Sequence, residues 1–172
     1  MSVTDEFIAR CVATVTTGQE PAATVEVVEQ ALRDQSIARD LSLDEGVRIL
    51  HNSENLTILH VVMSKRAAGI GDPIPHNHSM WAAVGVTHGS EHNQLFRRSD
   101  DTIEPSGVHV IEAGSVFFMD EDTIHSVKNP SAEHVSSALH VYGGDLIGAA
   151  KSMWCAPGLN ESPFDFLQVV GS

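Results

Sequence analysis

The chain is 172 residues long, with 42% hydrophobic residues and a formal net charge of −13. That length predicts one domain with a genuine core, and no apolar run approaches the length of a membrane span. With 10 basic residues against 23 acidic ones, the charge opposes binding to nucleic acid or to an anionic lipid surface. We therefore expect a small-molecule partner, with no nucleic acid and no membrane involved.

The N-terminal residues and the cysteines predict a cytoplasmic protein. The opening sequence, Met1 to Glu6, lacks the basic and apolar regions of a secretory signal. Cys11 and Cys155 match neither a CxxC motif nor a disulfide framework, so both are expected to be reduced thiols.

Helical periodicity is confined to residues 1–45. Apolar residues recur at helical spacing over 7–15, with Thr4 or Asp5 as the predicted N-cap. A second helix is predicted over 21–37, because a proline at its start is compatible with the first turn and an apolar stripe follows. Both helices are expected to pack against the rest of the chain.

From residue 46 onward the pattern changes to short β-rich runs separated by Gly, Asn, Asp and Pro, which is typical of an all-β barrel or sandwich. We therefore predict one domain, with 1–45 as a helical segment packed on a β-barrel formed by 46–172. An exposed barrel edge would allow a homodimer as readily as a monomer. Candidate strands are 47–51, 56–64, 80–87, 94–98, 108–111, 115–119, 123–127 and 134–142.

Three histidines have the spacing of a metal site. His76 and His78 are two apart, so on a strand both imidazoles would point to one face. His125, from a distant strand, would complete a facial triad. Three neutral nitrogen ligands leave open coordination positions on Fe, Ni, Cu or Zn, which metal catalysis requires. The alternative is that two of these histidines lie in a proline-rich surface turn.

These histidines carry a resemblance to the cupins, which are double-stranded β-helix barrels with two sequence motifs. In the first motif Gly71 precedes His76 and His78, and Gly89 closes it, but Ala82 replaces the usual Glu.

The second cupin motif matches at Gly114, His125 and Asn129, with Asp120 and Asp122 in place of its Pro and Gly. The two aspartates are expected to shape a turn. The resemblance therefore implies a cupin jelly-roll with His76, His78 and His125 as its metal ligands.

The missing carboxylate narrows the resemblance to the three-histidine thiol dioxygenases. Trp81, the run from Gly85 to Asn93 and the run from Leu139 to Asp145 resemble the bacterial cysteine dioxygenase-like branch, which contains 3-mercaptopropionate dioxygenases. The resemblance implies Fe(II) as the cofactor, although Ni, Zn or another divalent metal would suit the same ligands. It also implies a small thiol and O2 as substrates and a sulfinate as the product.

His140 and Tyr142 are expected to act beside the metal. In the resembling enzymes a His-x-Tyr pair lies next to the iron, so Tyr142 would donate a hydrogen bond and His140 would orient its hydroxyl. Ala138 replaces the usual Ser of that relay. Lys151 stands where the mercaptopropionate branch has a carboxylate-binding Arg, and lysine lacks the planar fork of that residue. Lys151 and Trp81 are the candidate substrate contacts.

Two other functions remain open from the sequence. One is a metal cupin that is not an oxygenase, with Zn or Ni serving a hydrolase, lyase or isomerase. The other is a non-catalytic barrel that binds a ligand. The remaining histidines have no ligand spacing and are expected at the surface or in turns: His51, His60, His88, His92, His109 and His134.

Overall fold

The computed structural model describes residues 1–66 and 73–170, so Gly71 of the first motif lies outside the described residues. The helices are α1 (Val3–Thr16), α2 (Ala22–Asp34), α3 (Ser36–Asp40) and α4 (Phe166–Val170). The strands are β1 (Gly46–Asn52), β2 (Thr57–Met63), β3 (Ala82–His88), β4 (Ser90–Ser99), β5 (Thr102–Glu112), β6 (Val116–Met119), β7 (Ile124–Lys128), β8 (Ser136–Tyr142), β9 (Ser152–Cys155) and β10 (Asn160–Pro163).

The predicted helices form, but their ends differ from the prediction. Ser2, rather than Thr4 or Asp5, is the N-cap of α1, and it makes a capping box with Asp5. The expected second helix is interrupted at Gln35, whose left-handed φ of 51° separates α2 from α3. No glycine or proline marks this break, so sequence periodicity could not locate it.

The strands pair in antiparallel sheets. One sheet has the order β1-β2-β8-β3-β6, a second has the order β5-β4-β7, and β9 pairs with β10. Helices lie on one side of the larger sheet, and the smaller sheet faces its other side. The predicted fold class, a mainly β double-stranded β-helix barrel with an N-terminal pair of helices, is confirmed.

The larger sheet buries both of its faces. One face packs against α1 and α2 in a helix-side core, and the other packs against the smaller sheet in an interior core that holds Ala138 and Tyr142 of β8. Every residue of β8 is buried, so its alternating side chains divide between the two cores. The helix-side core consists of Phe7, Cys11, Val27, Val28, Ala31, Leu32, Ile37, Leu56, Ile58, Ala83, Leu139 and Val141.

The turn between β3 and β4 depends on Gly89. Its φ is +70°, and an added Cβ would lie 2.9 Å from the carbonyl oxygen of Val135. This turn lets β4 begin at Ser90, whereas the sequence predicted a strand only over 94–98. Within 1–66 and 73–170, no helix is long and apolar enough to cross a membrane.

Candidate metal centre

The three predicted ligands meet inside the barrel. The candidate ligand atoms of His76, His78 and His125 all lie within 4.8 Å of one another. Their side chains are almost excluded from solvent, with relative exposures of 7%, 5% and 2%. The Nε2 atoms of His78 and His125 are 3.4 Å apart. Each imidazole therefore directs a nitrogen toward a common point.

The backbone places these ligands differently from the prediction, because His76 and His78 do not lie on a regular strand. His76 forms isolated bridges with His125 and Met153. The backbone N–H of His76 donates to the carbonyl oxygen of His125 over 2.8 Å. The backbone N–H of His125 donates to the carbonyl oxygen of His76 over 3.0 Å. Pro75 has no N–H to donate, which explains why no continuous ladder forms before His76.

Burial keeps the three imidazoles neutral. It is the main cause that lowers the pKa of His76 to about 4. Burial, followed by repulsion from neighbouring histidines, lowers the pKa of His78 and His125 well below the ordinary value. A neutral imidazole is the form that binds a metal, so the ligand set is already deprotonated at neutral pH.

Hydrogen bonds fix which ring nitrogens are free. Asn93 Oδ1 lies 2.8 Å from His125 Nδ1, and the carbonyl oxygen of Ile74 lies 3.1 Å from His76 Nδ1. Both oxygens can only accept, so each Nδ1 carries the hydrogen and each Nε2 keeps its lone pair. The residues therefore fit a divalent late first-row metal held by three nitrogens.

His140 and Tyr142 continue from this cluster into the interior core. The Tyr142 ring lies 4.9 Å from the His78 ring, measured between centroids. His140 Nδ1 is 3.1 Å from the Tyr142 hydroxyl oxygen. Burial is the main cause that raises the pKa of Tyr142, so this phenol keeps its proton at neutral pH.

Glu91 joins the group, although the sequence analysis did not single it out. Its Oε1 lies 3.2 Å from His140 Nε2, opposite the nitrogen that faces Tyr142. Glu91 and Asn93 are two apart on β4, so both point into the barrel. That spacing was a usable signal, but Glu91 and Asn93 fall between the predicted strands 80–87 and 94–98.

Lys151 lies near the histidines. Its Nζ donates to the carbonyls of Leu146 and Ala149 and lies 4.9 Å from the centroid of the Phe164 ring. Phe164 in turn contacts the ring of His76, with 5.6 Å between centroids. Burial is the main cause that lowers the pKa of Lys151. Phe164 is a further neighbour of the site that the sequence analysis missed, because a lone aromatic carries no motif.

Trp81 is placed elsewhere. It packs against the helix-side core, and an added Cβ on Gly143 would lie 2.1 Å from its indole ring. The structure therefore brings six of the seven predicted site residues into one region and places the Trp81 side chain on the other face of the larger sheet.

One expectation about the other histidines was wrong. His60 is only 1% exposed, and its Nε2 lies 2.8 Å from Ser137 Oγ. It occupies the helix-side face of β2, a central strand of the larger sheet, so its side chain cannot reach solvent. His88, His109 and His134 are exposed as expected.

No family model matches the chain. Among solved structures it is similar to an RmlC-like cupin family protein with a double-stranded β-helix fold from Methanocaldococcus jannaschii, with 18% identity, a TM-score of 0.46, and coverage of 61% of this chain and 84% of that one. It is also similar to an uncharacterized conserved protein with a double-stranded β-helix domain from Klebsiella pneumoniae, with 11% identity, a TM-score of 0.48, and coverage of 66% and 87%.

A third similar structure is a DMSP lyase from Ruegeria pomeroyi, with 18% identity and a TM-score of 0.45. The match covers 62% of this chain but only 49% of the lyase, so this chain spans about half of that protein. At such identities and TM-scores the reaction cannot be transferred from these proteins. The chemistry proposed below therefore rests on this chain's own residues.

Proposed function

We propose that this protein is a metal-dependent oxygenase that oxidises a small thiol with O2 at the three-histidine centre. The observation that carries the proposal is the buried set of three neutral imidazoles next to the Tyr142 hydroxyl. Ala82, which replaces the carboxylate of other cupins, leaves this ligand set without a negative charge. The resemblance to three-histidine thiol dioxygenases supports the same function.

His76, His78 and His125 would hold Fe(II). When bound, Fe(II) would supply the positive charge that favours the thiolate form of a substrate and the redox chemistry by which O2 oxidises sulfur. The protein supplies the rest: neutral ligands, a site screened from water, and a nearby hydroxyl that can donate a hydrogen bond.

The reaction balances without another reactant. A thiol and one O2 give a sulfinic acid, in which both oxygen atoms are bonded to sulfur. Sulfur loses four electrons and O2 gains them. Tyr142 would orient the reacting groups by hydrogen bonding, and burial of the three histidines limits side reactions with water.

Lys151 supports a thiol that also carries a carboxylate, such as cysteine or 3-mercaptopropionate. Two of its three ammonium N–H groups are accounted for by the carbonyls of Leu146 and Ala149. The third would be available to an anion beside Phe164 and His76. A lysine grips a carboxylate at one point rather than two, so its hold on the substrate would be weaker than that of arginine.

The cytoplasm suits this reaction because thiols remain reduced there. Cys11 and Cys155 are both unpaired, which agrees with that location. We propose that the enzyme works there as a monomer or homodimer built on one cupin domain.

Oxygen uptake by anaerobically prepared, Fe(II)-loaded protein tests the proposal. Cysteine, cysteamine and 3-mercaptopropionate are supplied separately, and the products are analysed by mass spectrometry. We expect thiol-dependent uptake and a product that is two oxygen atoms heavier than the thiol. His88→Ala changes an exposed histidine and serves as the matched control, whereas His125→Ala should be inactive.

Two results would contradict the proposal. Oxygen uptake that does not depend on thiol would reject thiol oxidation. Turnover of a substrate by Zn- or Ni-loaded protein without oxygen would instead assign a hydrolase, lyase or isomerase to the same ligands.

A further inference from the structure

The proposed function leaves one buried acid unexplained. Glu91 has a side-chain exposure of 1%, and His140, its partner, has 7%. Only one of the two Glu91 carboxylate oxygens contacts His140. The other, Oε2, is buried and has no hydrogen-bond partner among the described residues.

A lone carboxylate anion in this position would be costly. An ionised carboxylate can accept about four hydrogen bonds and is unstable in a dry interior without them or without a cation. Lys151 directs its ammonium to backbone carbonyls, so it does not neutralise Glu91. Among the described residues, His140 is the group in contact that can balance the charge.

Charge balance therefore favours a pair with no net charge, in which Glu91 and His140 share one proton between Oε1 and Nε2. The proton is either on the acid, beside a neutral imidazole, or on the imidazole, beside a carboxylate. In both forms the other ring nitrogen, Nδ1, also carries a hydrogen. A pair with a net charge of −1 would leave Nδ1 as an acceptor.

The hydrogen on Nδ1 decides what Tyr142 can do. His140 Nδ1 lies 3.1 Å from the tyrosine oxygen, and a hydrogen on Nδ1 makes His140 the donor in this contact. Tyr142 then accepts from His140, and its own hydrogen is free to point elsewhere. With Nδ1 as the acceptor, the tyrosine hydrogen would be held by His140 instead.

We propose that Glu91 is a positioning residue that keeps a hydrogen on His140 Nδ1, so that the Tyr142 hydroxyl donates into the three-histidine site. The inference rests on the proposed function, because it assigns Tyr142 a donor role in that reaction. Glu91 touches neither the substrate nor the metal and acts only through His140.

Nitrogen NMR of histidine-labelled protein tests the protonation state directly. The metal-free and Zn-loaded proteins are compared near neutral pH, and His140→Gln assigns the two signals by their loss. We expect Nδ1 of His140 to be protonated in the wild-type protein. In Glu91→Leu, which fills the buried position but removes every hydrogen-bonding atom of the side chain, we expect that signal to shift toward the unprotonated range.

An unprotonated Nδ1 in the wild-type protein would overturn the proposal, and so would an identical Nδ1 signal in Glu91→Leu. The wild-type measurement needs no variant to fold and no oxygenase activity. Failure of thiol oxidation would therefore remove the proposed function while this test still decided the proton position.

Kinetics of the Fe(II)-loaded protein provide the second measurement. We expect Glu91→Leu to lower kcat about 100-fold, the size typical of a lost proton donor, while metal content and KM stay unchanged. Tyr142→Phe should lose a similar factor, and the double variant should lose no more than either single variant, since both act through one hydroxyl. Additive losses would show that Glu91 does not act through Tyr142.

Discussion

Two buried histidine clusters occupy opposite faces of the same five-stranded sheet, and they differ in how completely their hydrogen bonds are made. On the helix side, His60 contacts Ser137 Oγ over 2.8 Å, and Ser137 Oγ lies 2.8 Å from Thr87 Oγ1. His60 Nδ1 faces Arg48 at 3.5 Å. No atom of these four side chains is left as a buried orphan.

The interior cluster is different, because His78 Nδ1, Glu91 Oε2 and Asn93 Nδ2 are all buried without a partner in the described residues. Each such atom costs about 1 to 3 kcal/mol when it replaces a satisfied group. A fold keeps such a cost where a ligand compensates for it or where function requires it. Burial alone therefore does not distinguish these two clusters, but unmet hydrogen-bonding capacity does.

The largest expected effect separates the clusters by metal binding. His125→Ala removes one of three ligands, and we expect the variant to lose bound metal completely when the wild-type protein carries one metal per chain. His60→Ala should keep its metal, because the cluster on the helix side contributes no ligand. Metal content by plasma mass spectrometry measures both. Stoichiometric metal in His125→Ala, and equally in His76→Ala, would remove the site assignment.

A smaller effect is expected at Asn93, which contacts a candidate ligand and is not one itself. Asn93→Ala removes the oxygen 2.8 Å from His125 Nδ1, so the ring loses the partner that fixes its tautomer. Loss of such a partner lowers metal affinity by about 10- to 100-fold. Competition with a chelator of known affinity measures the change. Asn93→Asp keeps an acceptor oxygen and should retain most of the affinity; equal losses in both variants would contradict this role.

The His60 cluster should affect stability rather than metal. Burial, with the charges of Arg48 and His140, lowers the pKa of His60 from 6.5 to about 4. The unfolded chain therefore takes up a proton before the folded one does. This contribution to stability is present above pH 6.5 and is lost as the pH falls toward 4. A shift of this size corresponds to roughly 3 kcal/mol at most.

Urea denaturation between pH 7 and pH 4 compares the wild-type protein with His60→Asn, which cannot titrate. We expect the stability advantage of the wild-type protein to shrink steadily as the pH falls. Parallel stability curves would show that His60 titrates alike in the folded and unfolded chains.

The smallest expected effect concerns the cysteines. Cys11 is fully buried in the helix-side core, and burial raises the pKa of its thiol to about 12. Cys155 is half-buried on β9. Only a thiolate reacts quickly with iodoacetamide, so native protein should be alkylated at Cys155 and spared at Cys11. Mass spectrometry of the digested protein measures the extent of alkylation at each cysteine. Equal labelling would show that the helix-side core opens readily.

Much of the fold could be predicted from local patterns. The apolar stripe of α2 is long enough to define its helical period, and the β-rich run that forms β8 was predicted as a strand over 134–142. By contrast, β9 and β10 contain four residues each and were not predicted. Asn160–Pro163 is polar and ends in proline, so only its pairing with Ser152–Cys155 makes it a strand.

The candidate site, like the fold, could be predicted from the sequence only in part. Motif spacing predicted that His76, His78 and His125 would meet, because the two motifs fix how far apart these residues lie along the chain. It could not indicate that Glu91 reaches His140, since this contact crosses the barrel between β4 and β8. The packing of Trp81 on Gly143 was equally invisible, because it depends on which face of the sheet the side chain occupies.

The reciprocal bond between His76 and His125 has a thermodynamic consequence. Two N–H···O contacts of 2.8 and 3.0 Å hold these ligand-bearing segments side by side through the main chain alone. Part of the entropy cost of bringing His76 and His125 together has therefore already been offset during folding. Metal uptake should show a small heat-capacity change, and a chelator should strip the ion and leave a folded protein that reloads without renaturation.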